Sequence, residues 1–150
     1  MQKKNKIYIS TLVIFWIVFV VFILVMSSMF LPSLYLPFLH FLILGLPSNA
    51  VISLLGITLI VLAARAKFTK ISKAFFILTG SSAVGIGFGA YLHNLVFALF
   101  IILLGEGFWE RVGIGDEPVF FILATIIFPI ALLVGAICSI VFIAKKKVIA

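Results

Sequence analysis

Two histidines, four acids and one cysteine are the residues of this chain with the most obvious capacity for chemistry, and all of them sit in or beside apolar surroundings. His40 and His93 together suit a bis-histidine haem or a metal site, because imidazole ligates both. Glu106, Glu110, Asp116 and Glu117 are all the acids the protein has, gathered in one short stretch. Oxygen donors in such a group attract cations and suit a hard metal. The alternative is that they populate a solvated loop, and that is the reading we favour from the sequence. Cys138 is alone, so no intrachain disulfide is possible, and a small buried residue is the simpler account of it. No nucleophile has a base and an orienting acid at readable spacing.

The elements that carry these residues are membrane-like. Hydrophobic residues make up 65% of the chain and charged ones 10%, with a mean hydropathy of +1.45, far outside the range of soluble domains. About 20 apolar helical residues cross a hydrocarbon layer about 30 Å thick. The sequence therefore predicts an all-α integral membrane protein with four transmembrane helices in one bundle, over residues 7–31, 48–64, 74–104 and 118–144. Between the first two, residues 33–46 are apolar but flanked by Pro32 and Pro47 and interrupted by Pro37. That piece is too short to span and reads as an interfacial or re-entrant segment, with Tyr35 and His40 on it.

The third run is the hub. Its small residues Ser81, Gly85 and Gly89 recur every fourth position and lead to His93, which predicts one band where another helix approaches closely. His93 would then hydrogen-bond across that contact, with Asn94 serving a different neighbour. The sharper alternative makes His93 a proton relay or ligand, since ionisable groups within membranes are usually functional. However, His93 lies about 27 Å along the axis from Phe75, near one boundary rather than at the midplane. Gly135 and Ser139 give the fourth helix a close-packing edge of its own. Pro129 removes the bond to the Thr125 carbonyl and predicts a kink there. Pro118 suits a first helical turn, with Asp116 and Glu117 at the positive end of that helix.

The net charge of +7 comes from three short basic segments, the N-terminus, residues 65–73 and the C-terminus, which hold ten of the eleven basic residues. With four spans all three share a side, which the positive-inside rule makes cytoplasmic, so both termini face the cytoplasm, most simply at the plasma membrane. The lipid bilayer is the expected environment. No groove-lining basic patch points to nucleic acid. The size and layout resemble those of small multidrug transporters and of glutathione-metabolising MAPEG enzymes. The residues part from both, because no glutamate lies in the first span and the helices lack the polar and basic residues of the MAPEG class. The expectation is a non-enzymatic structural or accessory membrane protein that assembles with itself or with other subunits through the glycine-rich third helix. Two rivals stand beside it: a small cation channel or transporter fed by the acidic loop, and a haem or metal protein using His40 and His93.

Overall fold

The computed structural model describes residues 2–30 and 48–145, and these are all-helical. In chain order they form α1 (Gln2–Phe30), α2 (Ser48–Arg65), α3 (Lys70–Leu104), the short α4 (Phe108–Arg111), α5 (Pro118–Ile122) and α6 (Phe128–Ala144). A π-helical turn, Leu123–Ile127, joins α5 to α6, so the last rod is continuous from Pro118 to Ala144. Three stretches are long and apolar enough to cross a membrane: Lys6–Ser27, Lys70–Leu104 and Pro118–Ala144. Asn49–Arg65 is apolar but shorter. The expected segment 33–46, with Tyr35 and His40, lies outside the described residues.

α3 runs through the middle of the arrangement, packed along α2 on one side and along the α5–α6 rod on the other, while α1 lies mainly against α2. Both long contacts of α3 are antiparallel. Against α2, Gly87 meets Asn49, Gly80 meets Gly56, and Lys73 meets Ala64. Against the rod, His93 meets Glu117, Gly89 meets Ala124, Gly85 meets Phe128, Gly135 meets Thr79, and Phe75 meets Phe142. Where α2 and α3 cross, a methyl on Gly56 would stand 2.6 Å from the Gly80 carbonyl oxygen, and one on Gly80 would stand 2.8 Å from the Gly56 carbonyl oxygen. The two backbones touch there, which is how helices associate in a solvent as apolar as their own side chains.

The core gathers Phe15, Val18 and Phe22 of α1, Ile52, Leu59 and Ala63 of α2, Phe76, Ala83 and Ile86 of α3, and Leu132 and Ala136 of α6. Phe76 is its aromatic centre, edge-on to Phe15 at 5.2 Å and stacked on Phe68 at 4.7 Å. Phe68 belongs to the α2–α3 connection and also meets Tyr8 at 5.6 Å, so that connection is tucked into the bundle.

Several boundaries differ from the expected ones for local reasons. α3 starts at Lys70, four residues before the apolar run, because the Thr69 hydroxyl accepts the Ser72 amide at 3.3 Å and caps the helix. Lys73 thus lies on the helix and reaches the Ala64 carbonyl at 3.0 Å, closing the end of α2. α3 is unbroken at its glycines. It stops at Leu104, where Gly105 takes φ 89°, so Glu106 and Glu110 lie outside it. Pro129 acts through the turn before it: the Phe128 amide bonds Leu123 in a wider π turn, which accommodates the proline ring and the missing N–H. The Thr125 hydroxyl donates to Phe121 at 2.7 Å. Thr125 borders a cleft of about 320 Å³ with Phe22 and Met26 of α1.

Ser139 is fully buried and its hydroxyl has no hydrogen-bond partner. A hydroxyl buried unpaired costs about 1–3 kcal/mol relative to a satisfied one. Ser139→Ala is therefore expected to leave the protein as stable as the parent or more stable by up to about 1 kcal/mol, read from denaturant unfolding in detergent. A loss of more than that would mean the hydroxyl is bonded after all.

Candidate functional site

The one place where titratable side chains from separate elements converge, among the described residues, is the end of the bundle remote from the lysines. α3 brings His93 there through its contact with the start of the last rod. Glu117 is that rod's N-cap: its carboxylate accepts the amides of Val119 at 2.8 Å, Phe120 at 2.9 Å and Phe121 at 3.4 Å. The first amides of a helix have no partner within it, and a carboxylate placed there satisfies them and faces the positive end of the dipole. Pro118 follows at the first helical position, where its missing N–H costs nothing. Glu117 is 3% exposed, so these bonds are made away from solvent. Asp116 steadies the turn by accepting the Glu117 amide at 2.7 Å.

His93 closes the arrangement. Its Nδ1 lies 3.2 Å from the Glu117 carbonyl oxygen and 3.4 Å from Glu117 Oε2, and its Nε2 lies 3.5 Å from Asp116 Oδ2. Every polar group facing the ring is an acceptor. A neutral imidazole can serve one side only, whereas an imidazolium donates to both. Phe97 and Phe121 flank the ring at 6.5 and 5.5 Å. Asp116 is 54% exposed on its side chain and forms the solvent side of the group. The chemistry this permits is proton exchange at His93 and a helix-to-helix clasp; both ring nitrogens are already directed at protein carboxylates.

Beyond His93 a loop folds back on α3. Trp109, 9% exposed, donates its indole N–H to the Phe97 carbonyl at 3.3 Å and stacks parallel to the Phe97 ring at 6.0 Å. Phe100 and Phe108 complete the cluster. Arg111 caps α3 by donating to the Leu104 carbonyl at 2.8 Å. Gly107 and Gly113 take positive φ and let the chain turn twice in so short a stretch. Trp109→Ala is expected to release this loop, so that protease cleavage within 105–116 accelerates several-fold while the bundle's melting point stays put. Equal cleavage rates would show that the rings do not hold it.

The other residues singled out from the sequence fall in several places. Gly85 and Gly89 both face the rod, against Phe128 and Ala124, but Ser81 is exposed, so the three do not share one contact. Asn94 is exposed and donates to the Ala90 carbonyl at 3.1 Å. Gly135 lies against Thr79, with Ser139 one turn on. Glu106 and Glu110 are exposed in the loop and α4. His40 lies outside the described residues. Among the described residues no group of three or more His, Cys, Asp or Glu side chains is placed to hold a metal ion. Sequence reading missed the close approach of Gly80 and Gly87 to α2, and the Ser53 hydroxyl that donates to Val84 at 3.4 Å. It also missed the pairing of His93 with Asp116 and Glu117. The signal available for the last was the acid pair just before Pro118, which marks a helix start needing a partner.

No protein-family model, curated protein or solved structure matches this chain.

Proposed function

We propose that the protein is a four-span membrane protein with both termini in the cytoplasm, at the plasma membrane, acting as a non-enzymatic structural or accessory subunit. The observation that carries this reading is the state of its polar cluster: Glu117 is spent on three helix amides and on His93, and His93 on two carboxylates. Those bonds join α3 to the last rod, and each member of the cluster has a structural task. α2 is short for a span: at 1.5 Å per residue it reaches about 27 Å, about 3 Å less than a hydrocarbon layer of about 30 Å, a mismatch that local thinning of the bilayer accommodates.

Assembly uses the side of α3 that its own neighbours leave open. Gly80, Gly85, Gly87 and Gly89 are occupied within the chain, whereas Ala74, Ser81 and Phe88 recur every seventh residue on an exposed face. A seven-residue spacing keeps one face toward a partner helix. The test is purification in mild detergent with every stoichiometric companion identified. A defined set of other subunits, or a stable homo-oligomer, is expected, and Ser81→Trp should dissociate it without lowering the melting point. A lone monomer would overturn the assignment. The same sample is expected to lack a Soret band and bound metal; either one would move the function to a redox or metal protein built on His93 and His40.

A further inference from the structure

Among the described residues, cations gather at one end of the bundle and no acid answers them. Tyr8, two residues past Lys6, meets Phe68 at 5.6 Å, so the start of α1 lies against the turn from α2 to α3, where Arg65, Lys67 and Lys70 stand. Phe75 of α3 meets Phe142 at 5.8 Å, and Lys145 follows at the end of α6. Lys73 is engaged with the Ala64 carbonyl, whereas Lys6, Arg65, Lys67, Lys70 and Lys145 are exposed. All four acids belong to the far end. Asp116 and Glu117 meet His93, about 35 Å along α3 from Lys70, and Glu106 and Glu110 lie beyond Leu104. Screening at physiological salt acts over about 8 Å, so those acids do not neutralise this end. Its counter-charge comes from outside the chain.

The surface beside the cations says which anion fits. Three helices each carry an exposed apolar row that finishes in a cation at this end. α1 presents Lys6, Ile9 and Val13. α2 presents Arg65, Val61 and Ile57. α6 presents Lys145, Val141 and Ile137. Steps of three or four residues keep each row on one helical face, and each reaches roughly 10–12 Å from its cation, most of the depth of one leaflet of about 15 Å. A free anion or a nucleic acid would use the charge and leave the row beneath it bare. A phospholipid uses both, with its phosphate at the cation and an acyl chain along the row. We infer that this end of the bundle is a binding surface for anionic phospholipids. The inference rests on the membrane reading above and adds the class of lipid. Uncompensated cations favour headgroups of net negative charge over zwitterionic ones, by roughly fivefold for each cation near the surface.

Lipid retention by the full chain tests this. The protein is reconstituted into vesicles of equal dioleoylphosphatidylglycerol and dioleoylphosphatidylcholine, extracted in mild detergent, and weighed with its bound lipid by native mass spectrometry. Phosphatidylglycerol is expected to be retained in an excess of about tenfold or more. Lys6→Gln, Arg65→Gln and Lys145→Gln together should bring the two lipids within about twofold of each other. The charge-keeping set Lys6→Arg, Arg65→Lys and Lys145→Arg should preserve the excess. Equal retention of the two lipids by the parent, or an excess that survives the glutamine set, overturns the inference and leaves the spans standing. So does an excess that inorganic phosphate abolishes at an ionic strength where sodium chloride leaves it unchanged, since the surface would then serve a free anion. Failure of the membrane reading shows separately, as release of the chain from native membranes by alkaline carbonate, and would overturn both.

Discussion

Gly87→Ala is expected to destabilise the bundle by about 3 kcal/mol, the upper end of what overpacking usually costs and a large effect for one methyl group. A Cβ at Gly87 would run into the Asn49 carbonyl oxygen and the Ser53 hydroxyl, with the Asn49 carbonyl carbon 3.0 Å away. The obstacle is mostly backbone of α2, and backbone inside a helix cannot step aside without moving the helix. Two nearby glycines calibrate the effect. At Gly85 the obstacle is the Phe128 ring, 2.6–2.7 Å from the added carbon, and a ring can rotate. At Gly89 the nearest atom is the Ala124 methyl at 3.2 Å. Alanine also gains about 1 kcal/mol of helix propensity over glycine at each site. The net cost should therefore fall from Gly87 to Gly85, where about 1 kcal/mol is expected, to Gly89, where the change is near neutral. Equilibrium unfolding in detergent, followed by circular dichroism, reads the series. Gly87→Ala with parental stability would mean that α2 is not seated on α3 as described.

That series also locates what the sequence could and could not disclose. Apolar runs and prolines were enough to place three long helices and a shorter one, because length and hydropathy answer to the solvent and not to the neighbours. The start of α3 was set four residues late, because Lys70 and Lys73 look like loop residues until Thr69 is seen as a cap. The glycines announced close approach without saying to what. Positions four apart drift around a helix by about 40° at each step, so Ser81, Gly85 and Gly89 pass from open surface to the rod. Gly80 and Gly87, seven apart, stay on α2. Only the partners' positions separate the two sets, and those are tertiary information. The clasp at His93 is of the same kind: Glu117 lies 24 positions further along the chain, and no spacing rule links the two.

Glu117→Ala is expected to cost about 3 kcal/mol, since it removes a helix cap, worth about 0.5–2 kcal/mol, together with charge-assisted bonds made almost out of solvent. Glu117→Gln keeps one acceptor oxygen for the amides and should lose about half as much. Asp116→Asn retains the oxygen that accepts the Glu117 amide, and its other contact is solvent-screened, so a loss under about 0.5 kcal/mol is expected. The decisive measurement is a double-mutant cycle. If the clasp is structural, His93→Ala will cost less in a Glu117→Ala background than in the parent, with a coupling of about 1 kcal/mol, because residues sharing one network do not act additively. Additive losses would separate His93 from the cap. The histidine would then be free to serve a proton or a ligand, and the case for a purely structural junction would fail at the residue on which it depends most.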